Sequence, residues 1–235
     1  MHRALLVTTL LLACRSSPAL PPDDRPPCTP AGEPEPTLGE GTHYEADGTG
    51  RCSFDAVPAP DRMVAAINGA EYEHAKLCGA CLLVTGPASQ IVVRVVDICP
   101  GCAAGDLDLA QEAFALLAPL DVGRLKIAWR VVPCDVSGPV EYRFKDTSDN
   151  DWTAIQIRNH RYPIATLEAR DARGNLRSLE RHDDNYFVAQ PGLGKGPYVL
   201  HVTDSRGHSV EAAVQPGAGL SRKASGQFAR CPSTP

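Results

Sequence analysis

Residues 90–110 read QIVVRVVDICPGCAAGDLDLA. The first eight, Gln90 to Asp97, form a β-branched run suited to a buried strand. The run ends on one carboxylate, Asp97, and a second, Asp108, follows eleven residues on. Working outward, Leu109 to Leu117 (LAQEAFALL) reads as a helix, with Asp108 at its mouth as a cap and Pro119 ending it. Upstream, Asp61 before Arg62–Asn68 and Gly69 after it read as a second, shorter capped helix. Leu125 to Val132 (LKIAWRVV) is another strand. Short elements at this density predict a compact barrel over residues 40–136.

Beyond that unit the pattern turns to strands only. Val140–Lys145, Trp152–Arg158, Pro163–Arg170, Leu176–Arg181, Tyr186–Ala189, Tyr198–Thr203 and Ser209–Val214 alternate, separated by turns such as Asp204-Ser205-Arg206-Gly207. This predicts an antiparallel β-sandwich over residues 137–218. The charge agrees with two units: residues 40–136 carry 7 basic and 13 acidic side chains, residues 137–218 carry 10 and 11.

The 235-residue chain is 43% hydrophobic and 22% charged, which excludes wholesale disorder. Its net charge of −5 leaves no basic field for nucleic acid. Ala4 to Ala13 is an apolar run of signal-peptide length, too short for a membrane span. It ends Leu11-Leu12-Ala13-Cys14, which looks like a bacterial lipobox with Cys14 lipidated. Ordinary cleavage after Ser17-Pro18-Ala19 also fits the small-residue rule, and since both readings export the protein, residues 1–19 are read as a leader. Residues 20–39 are Pro-rich and acidic and read as an extended tether. Residues 219–235 read as a small, polar tail.

Eight further cysteines remain: Cys28, Cys52, Cys78, Cys81, Cys99, Cys102, Cys134 and Cys231. Cys78-x-x-Cys81 and Cys99-x-x-Cys102, seventeen residues apart, have the spacing of a four-Cys zinc site. In an exported chain the same cysteines read as disulfides. His74, His160 and His182 show no metal spacing and read as surface or turn residues.

Several segments together resemble the expansins. Thr42-His43-Tyr44, Gly50-Arg51-Cys52-Ser53-Phe54, Cys78-Gly79-Ala80-Cys81, Val96-Asp97-Ile98-Cys99-Pro100, Leu107-Asp108-Leu109 and Trp129-Arg130-Val131-Val132-Pro133-Cys134 resemble the family's first domain. Trp152-Thr153-Ala154-Ile155-Gln156-Ile157-Arg158-Asn159-His160 and Pro163 resemble the second domain of its bacterial members. The resemblance implies a mainly β protein, a six-stranded double-psi β-barrel followed by an immunoglobulin-like β-sandwich that binds carbohydrate. It implies disulfides Cys52–Cys78, Cys81–Cys134 and Cys99–Cys102, leaving Cys28 with Cys231. The Cys81–Cys134 link could supply roughly 3–5 kcal/mol by the chain-entropy model.

Asp97 and Asp108 are the parts list of glycoside hydrolysis, if one acts as acid and the other as base or nucleophile. They read equally as a strand-end hydrogen-bonding residue and a helix cap. In expansins the positions of Thr42, Asp97 and Asp108 line a glucan groove, with Tyr44 beside them, and Asp108 matches the acid of related glycosidases. The second carboxylate of those enzymes has no clear counterpart, although Glu45 and Asp47 lie near its segment; a lone acid does not activate water. On the second domain, Trp152 matches one of three platform aromatics. Asp151 and Asp184 occupy the other two positions, Tyr186 is a substitute ring, and Lys145 lies nearby.

The resemblance thus implies a secreted, non-hydrolytic protein that grips cell-wall polysaccharide such as cellulose, xyloglucan or another β-glucan. It implies no cofactor and a monomer, while the net charge speaks against nucleic acid and the leader allows a membrane link only through a lipid on Cys14. A weak glycosidase or a peptidoglycan-cleaving lipoprotein on the same barrel is the alternative. The acidic first unit argues against acidic polymers by like-charge repulsion, screened beyond about 8 Å at physiological salt.

Overall fold

The computed structural model describes residues 35–170 and 174–231. Six strands close a barrel in the order β1-β5-β2-β4-β3-β6. They are β1 (Thr37–Tyr44), β2 (Val64–Asn68), β3 (Cys81–Thr85), β4 (Gln90–Cys99), β5 (Leu107–Ala110) and β6 (Leu125–Val132). Strands β1 and β5 run parallel, as do β2 and β4, and the other pairs are antiparallel. Val64, Ile67, Leu82, Val93, Leu107, Leu109, Phe114 and Ile127 fill the interior. Trp129 closes it, its indole N–H donating to the Gly105 carbonyl at 2.7 Å.

Two helix expectations are corrected here. Residues 64–68 are strand β2, every residue of it buried, hydrogen-bonded to β4 on one side and β5 on the other. A strand buried on both faces shows no alternation, and its alanines, with Asp61 and Gly69 flanking, mimic a capped helix. The helix read from Leu109 shrinks to α2 (Gln111–Phe114), and Asp108 lies inside strand β5. Asp108 therefore caps nothing; the N-cap position is Ala110. One further turn, α1 (Gly69–Tyr72), is capped by Asn68, whose Oδ1 accepts from the amides of Ala70 and Glu71.

The second half forms two facing sheets around one core. A five-stranded sheet runs β11-β12-β8-β7-β15, and a four-stranded sheet runs β10-β9-β13-β14. Their strands are β7 (Glu141–Phe144), β8 (Thr153–Arg158), β9 (Ile164–Arg170), β10 (Leu176–Ser178), β11 (Glu180–Arg181), β12 (Phe187–Ala189), β13 (Tyr198–Asp204), β14 (Ser209–Val214) and β15 (Ser221–Lys223). The run expected over Leu176–Arg181 divides between the sheets at Leu179, a core residue. The supposed tail is also corrected. Ser221–Lys223 pairs with β7 as an edge strand, and Ala224 and Phe228 join the core.

Cys52 bonds Cys78, Cys81 bonds Cys134 and Cys99 bonds Cys102. Cys231 is disulfide-bonded too. Cys14 and Cys28, with the leader and most of the tether, lie outside the described residues; the last three tether residues, Thr37 to Gly39, are corrected to the start of strand β1, paired with β6.

Residues 51–55 and 72–80 of the barrel meet one face of the five-stranded sheet. Gln156 donates from its side chain to the Cys52 carbonyl at 2.7 Å, as Asn185 does at 3.2 Å. The Tyr72 hydroxyl donates to the Asp183 carbonyl at 2.5 Å. His160 is not a surface residue: it is 3% exposed, with Nδ1 2.8 Å from the Tyr162 carbonyl. Its ring abuts Gly79, where a β-carbon would stand 2.6 Å from Nε2, and Gly79 holds φ +77°. Only glycine meets both demands there.

Candidate functional site: a carboxylate row and a ring cluster

Backbone register builds the first part of the site. Thr42 on β1 pairs with Asp108 on β5, Asp108 pairs with Ala66 on β2, and Ala66 pairs with Asp97 on β4. One row of four strands thus carries a hydroxyl and two carboxylates. Asp97 and Asp108 are two strand spacings apart, about 10 Å between backbones. A register shift in β4 between the partners of Ala65 and Ala66 brings Asp97 into this row.

The two carboxylates have different commitments. Thr42 Oγ1 donates to Asp108 Oδ1 at 2.6 Å. Asp97 Oδ1 accepts the amides of Arg51 at 2.7 Å and Ile98 at 2.8 Å, so it pins the 50–55 loop against the strand end. Gly50 permits this approach, since a β-carbon there would sit 2.5 Å from Asp97 Cγ. Beside the row stands Tyr44, whose buried hydroxyl has no hydrogen-bond partner among the described residues. Burial, then the charges of Asp97, Asp108 and Asp47, push its pKa well above the usual phenol range. Its proton stays on, and the group is a donor awaiting an acceptor.

The neighbouring acids have other work. Glu45 is exposed. Asp47 Oδ1 accepts from the hydroxyl of Thr49 at 2.6 Å and from its amide at 2.8 Å, and these bonds hold its pKa below the ordinary carboxylate value. A carboxylate stabilised in its charged form is a weaker base.

The second part lies on the five-stranded sheet. Lys145 Nζ is 2.5 Å from Asp184 Oδ2. It also stands 4.8 Å from the Tyr186 ring centre and 5.9 Å from that of Trp152. Trp152 is half-buried against Ala154, Tyr186 and Val188. Asp149 Oδ1 accepts the amides of Asp151 and Trp152, which fixes the entry into β8. Asp151 itself is exposed. Tyr186, read from the sequence as a substitute ring, is only 6% exposed and presents almost no face. It supports Trp152 and Lys145 from beneath, because burial against Ala154 and Val188 removes it from the surface.

Sequence reasoning overlooked the residues between the two parts. Arg51, Tyr72, Gln156, Arg181 and Asp183 gain their roles only where the barrel and sandwich meet. No local spacing announces them.

Comparison with known proteins places these features in context. No family model matches the chain. It is 36% identical over 186 residues to Expansin-YoaJ of Bacillus subtilis, covering 76% of this chain and 79% of that protein. It is 31% identical over 199 residues to Expansin-like protein 2 of Dictyostelium discoideum, covering 80% of this chain but 49% of that one. Among solved structures, the apo expansin of Clavibacter michiganensis matches with a TM-score of 0.76 at 33% identity, over 83% of this chain and 98% of that one. A mutant of that expansin in complex with cellohexaose matches with a TM-score of 0.77 over the same shares.

Proposed function

Because this chain belongs to the expansin family, we propose that it is an exported protein that binds cell-wall β-glucan across both units and loosens contacts between polymers without cutting them. The observation that carries this reading is the Tyr44 hydroxyl, buried and unpartnered among the described residues beside Thr42, Asp97 and Asp108. A sugar hydroxyl accepting its proton removes the cost of an unsatisfied buried donor. The cellohexaose bound by the Clavibacter protein supports a glucan as the ligand class.

Two arrangements favour gripping over hydrolysis. Asp108 has a donor fixed on one oxygen, and Asp97 holds a loop through two amides. Asp47, tied to Thr49, is a poor general base. On the sandwich, Trp152 provides the stacking face and Lys145 hydrogen-bonds sugar oxygens beside it. The barrel (40–136, extended back to Thr37 by β1) and the carbohydrate-binding sandwich (137–218, extended by β15) act as a monomer, outside the cell, on a lipid at Cys14 or free after cleavage.

The test is calorimetric titration with cellohexaose. Tyr44→Phe removes only the hydroxyl and should weaken binding about tenfold, equivalent to the 1–3 kcal/mol attached to such a group. Undiminished binding by Tyr44→Phe removes the observation on which the reading stands.

A further inference from the structure

A cavity of about 550 Å³ lies in the seam, lined by Arg51 and His74 of the barrel and by residues 180–184 of the sandwich. It adjoins both parts of the site. The Arg51 amide holds Asp97, and Asp184, at the cavity's other side, holds Lys145 beside Trp152.

The charges in this cavity do not all find partners. Asp183 meets His74 Nδ1 at 2.8 Å, and Asp184 meets Lys145 at 2.5 Å. The two guanidiniums have no such counterpart. Arg181 donates to the carbonyls of Ala75, Ile164 and Ala165 and lies 4.7 Å from the centre of the Phe187 ring. Among the described residues no carboxylate pairs with it. The Arg51 guanidinium has neither a hydrogen-bond nor an ion-pair partner among the described residues, and the residue is exposed. Glu180, also exposed, is the cavity's remaining uncommitted carboxylate.

A mostly buried guanidinium held by carbonyls and an aromatic face has dipoles and a ring for partners but no opposite charge, an arrangement that keeps part of its desolvation cost. Burial alone lowers the Arg181 pKa to about 10, with no carboxylate raising it. A carboxylate entering the cavity would supply the missing charge and two acceptor oxygens, the group that the planar guanidinium fork fits best. The cavity has the volume of a small-ligand site.

We infer that the seam cavity is a subsite for an acidic sugar, a uronate whose carboxylate is held by Arg51 and Arg181 while the neighbouring sugars of the same chain lie toward Thr42–Asp108 and Trp152. This goes beyond the neutral-glucan reading. It also reverses, at contact distance, the like-charge argument from the barrel's net acidity, which acts only over a screened range.

The experiment titrates the full chain, at low salt, with trigalacturonate, with cellotriose and with cellohexaose. The wild type should bind trigalacturonate at least tenfold more tightly than cellotriose. Arg51→Gln should lose about tenfold toward trigalacturonate, several times more than it loses toward cellohexaose. Equal affinity for the two trisaccharides, or undiminished trigalacturonate binding in Arg51→Gln, overturns the inference. So does a parallel loss of cellohexaose binding, which marks a disturbed Asp97 loop. Displacement by inorganic phosphate at equal concentration shows a free-anion site and overturns it as well. The cellohexaose arm on wild type reports separately on the glucan reading.

Discussion

Thr42 and Asp108 are register partners on parallel strands, and the hydroxyl of one donates to the carboxylate of the other at 2.6 Å. The bond orients the carboxylate proposed to face a glucan and occupies one of its oxygens. Thr42→Val keeps the shape and removes the donor. It should weaken cellohexaose binding about five- to tenfold, in keeping with 1.5–3 kcal/mol for a hydrogen bond to a charged group, only part of which reaches the ligand. Calorimetry on the variant checks this, with melting temperature as a control for folding.

Trp152 is the half-buried ring of a cluster whose second ring, Tyr186, is buried. Trp152→Ala should cut retention on insoluble cellulose about tenfold, whereas Tyr186→Phe, which keeps the supporting ring, should change it less than twofold. Depletion assays on both variants read the difference. An equal loss in Tyr186→Phe would mean that its hydroxyl takes part in the contact and that Tyr186 is more than a buried support.

His160 makes stability depend on acidity. Burial first, then the nearby Arg94 and Arg181 charges, lower its pKa from 6.5 to about 4. The unfolded chain therefore binds a proton between pH 6.5 and 4 that the folded chain refuses, and stability falls as pH drops through that window. The single-site contribution is roughly 3 kcal/mol, fully present above pH 6.5 and lost near pH 4. Urea unfolding at pH 7.5, 5.5 and 4 should show this loss in wild type and a flatter profile in His160→Gln.

Gly79→Ala tests the same contact from the other side. It forces a side chain into left-handed backbone at φ +77° and a methyl 2.6 Å from His160 Nε2. A cost above about 2 kcal/mol is expected, since left-handed backbone alone costs about 1–2 kcal/mol. Denaturant midpoints measure it. A cost no larger than that of an exposed Gly→Ala change, as at Gly101, would show that the seam yields there.

The sequence marks the carboxylates and the strands more clearly than their context. Gln90–Asp97 is a β-branched run and folds as most of β4. The segment before it deceives, because Val64–Asn68 is buried on both faces and its small residues carry no period of two. Asp108 stands in a strand of only four residues that runs straight into a helical turn, so its neighbours look like a helix start. The polar Ser221–Lys223 gives no apolar signal because it is an edge strand, secured by pairing with β7. At the site, Thr42, Asp97 and Asp108 share a row only through the crossing order of the barrel. The distance from sequence is greater still for Arg51 and Arg181: an unpaired guanidinium is a property of everything packed around it.

Whether the protein loosens or cuts is read by loading strips of filter paper in its presence and counting reducing ends in the same sample. The paper should weaken while reducing ends stay at the buffer level. Reducing ends that climb with time, and cease to climb in Asp108→Asn, would contradict it and make the protein a hydrolase.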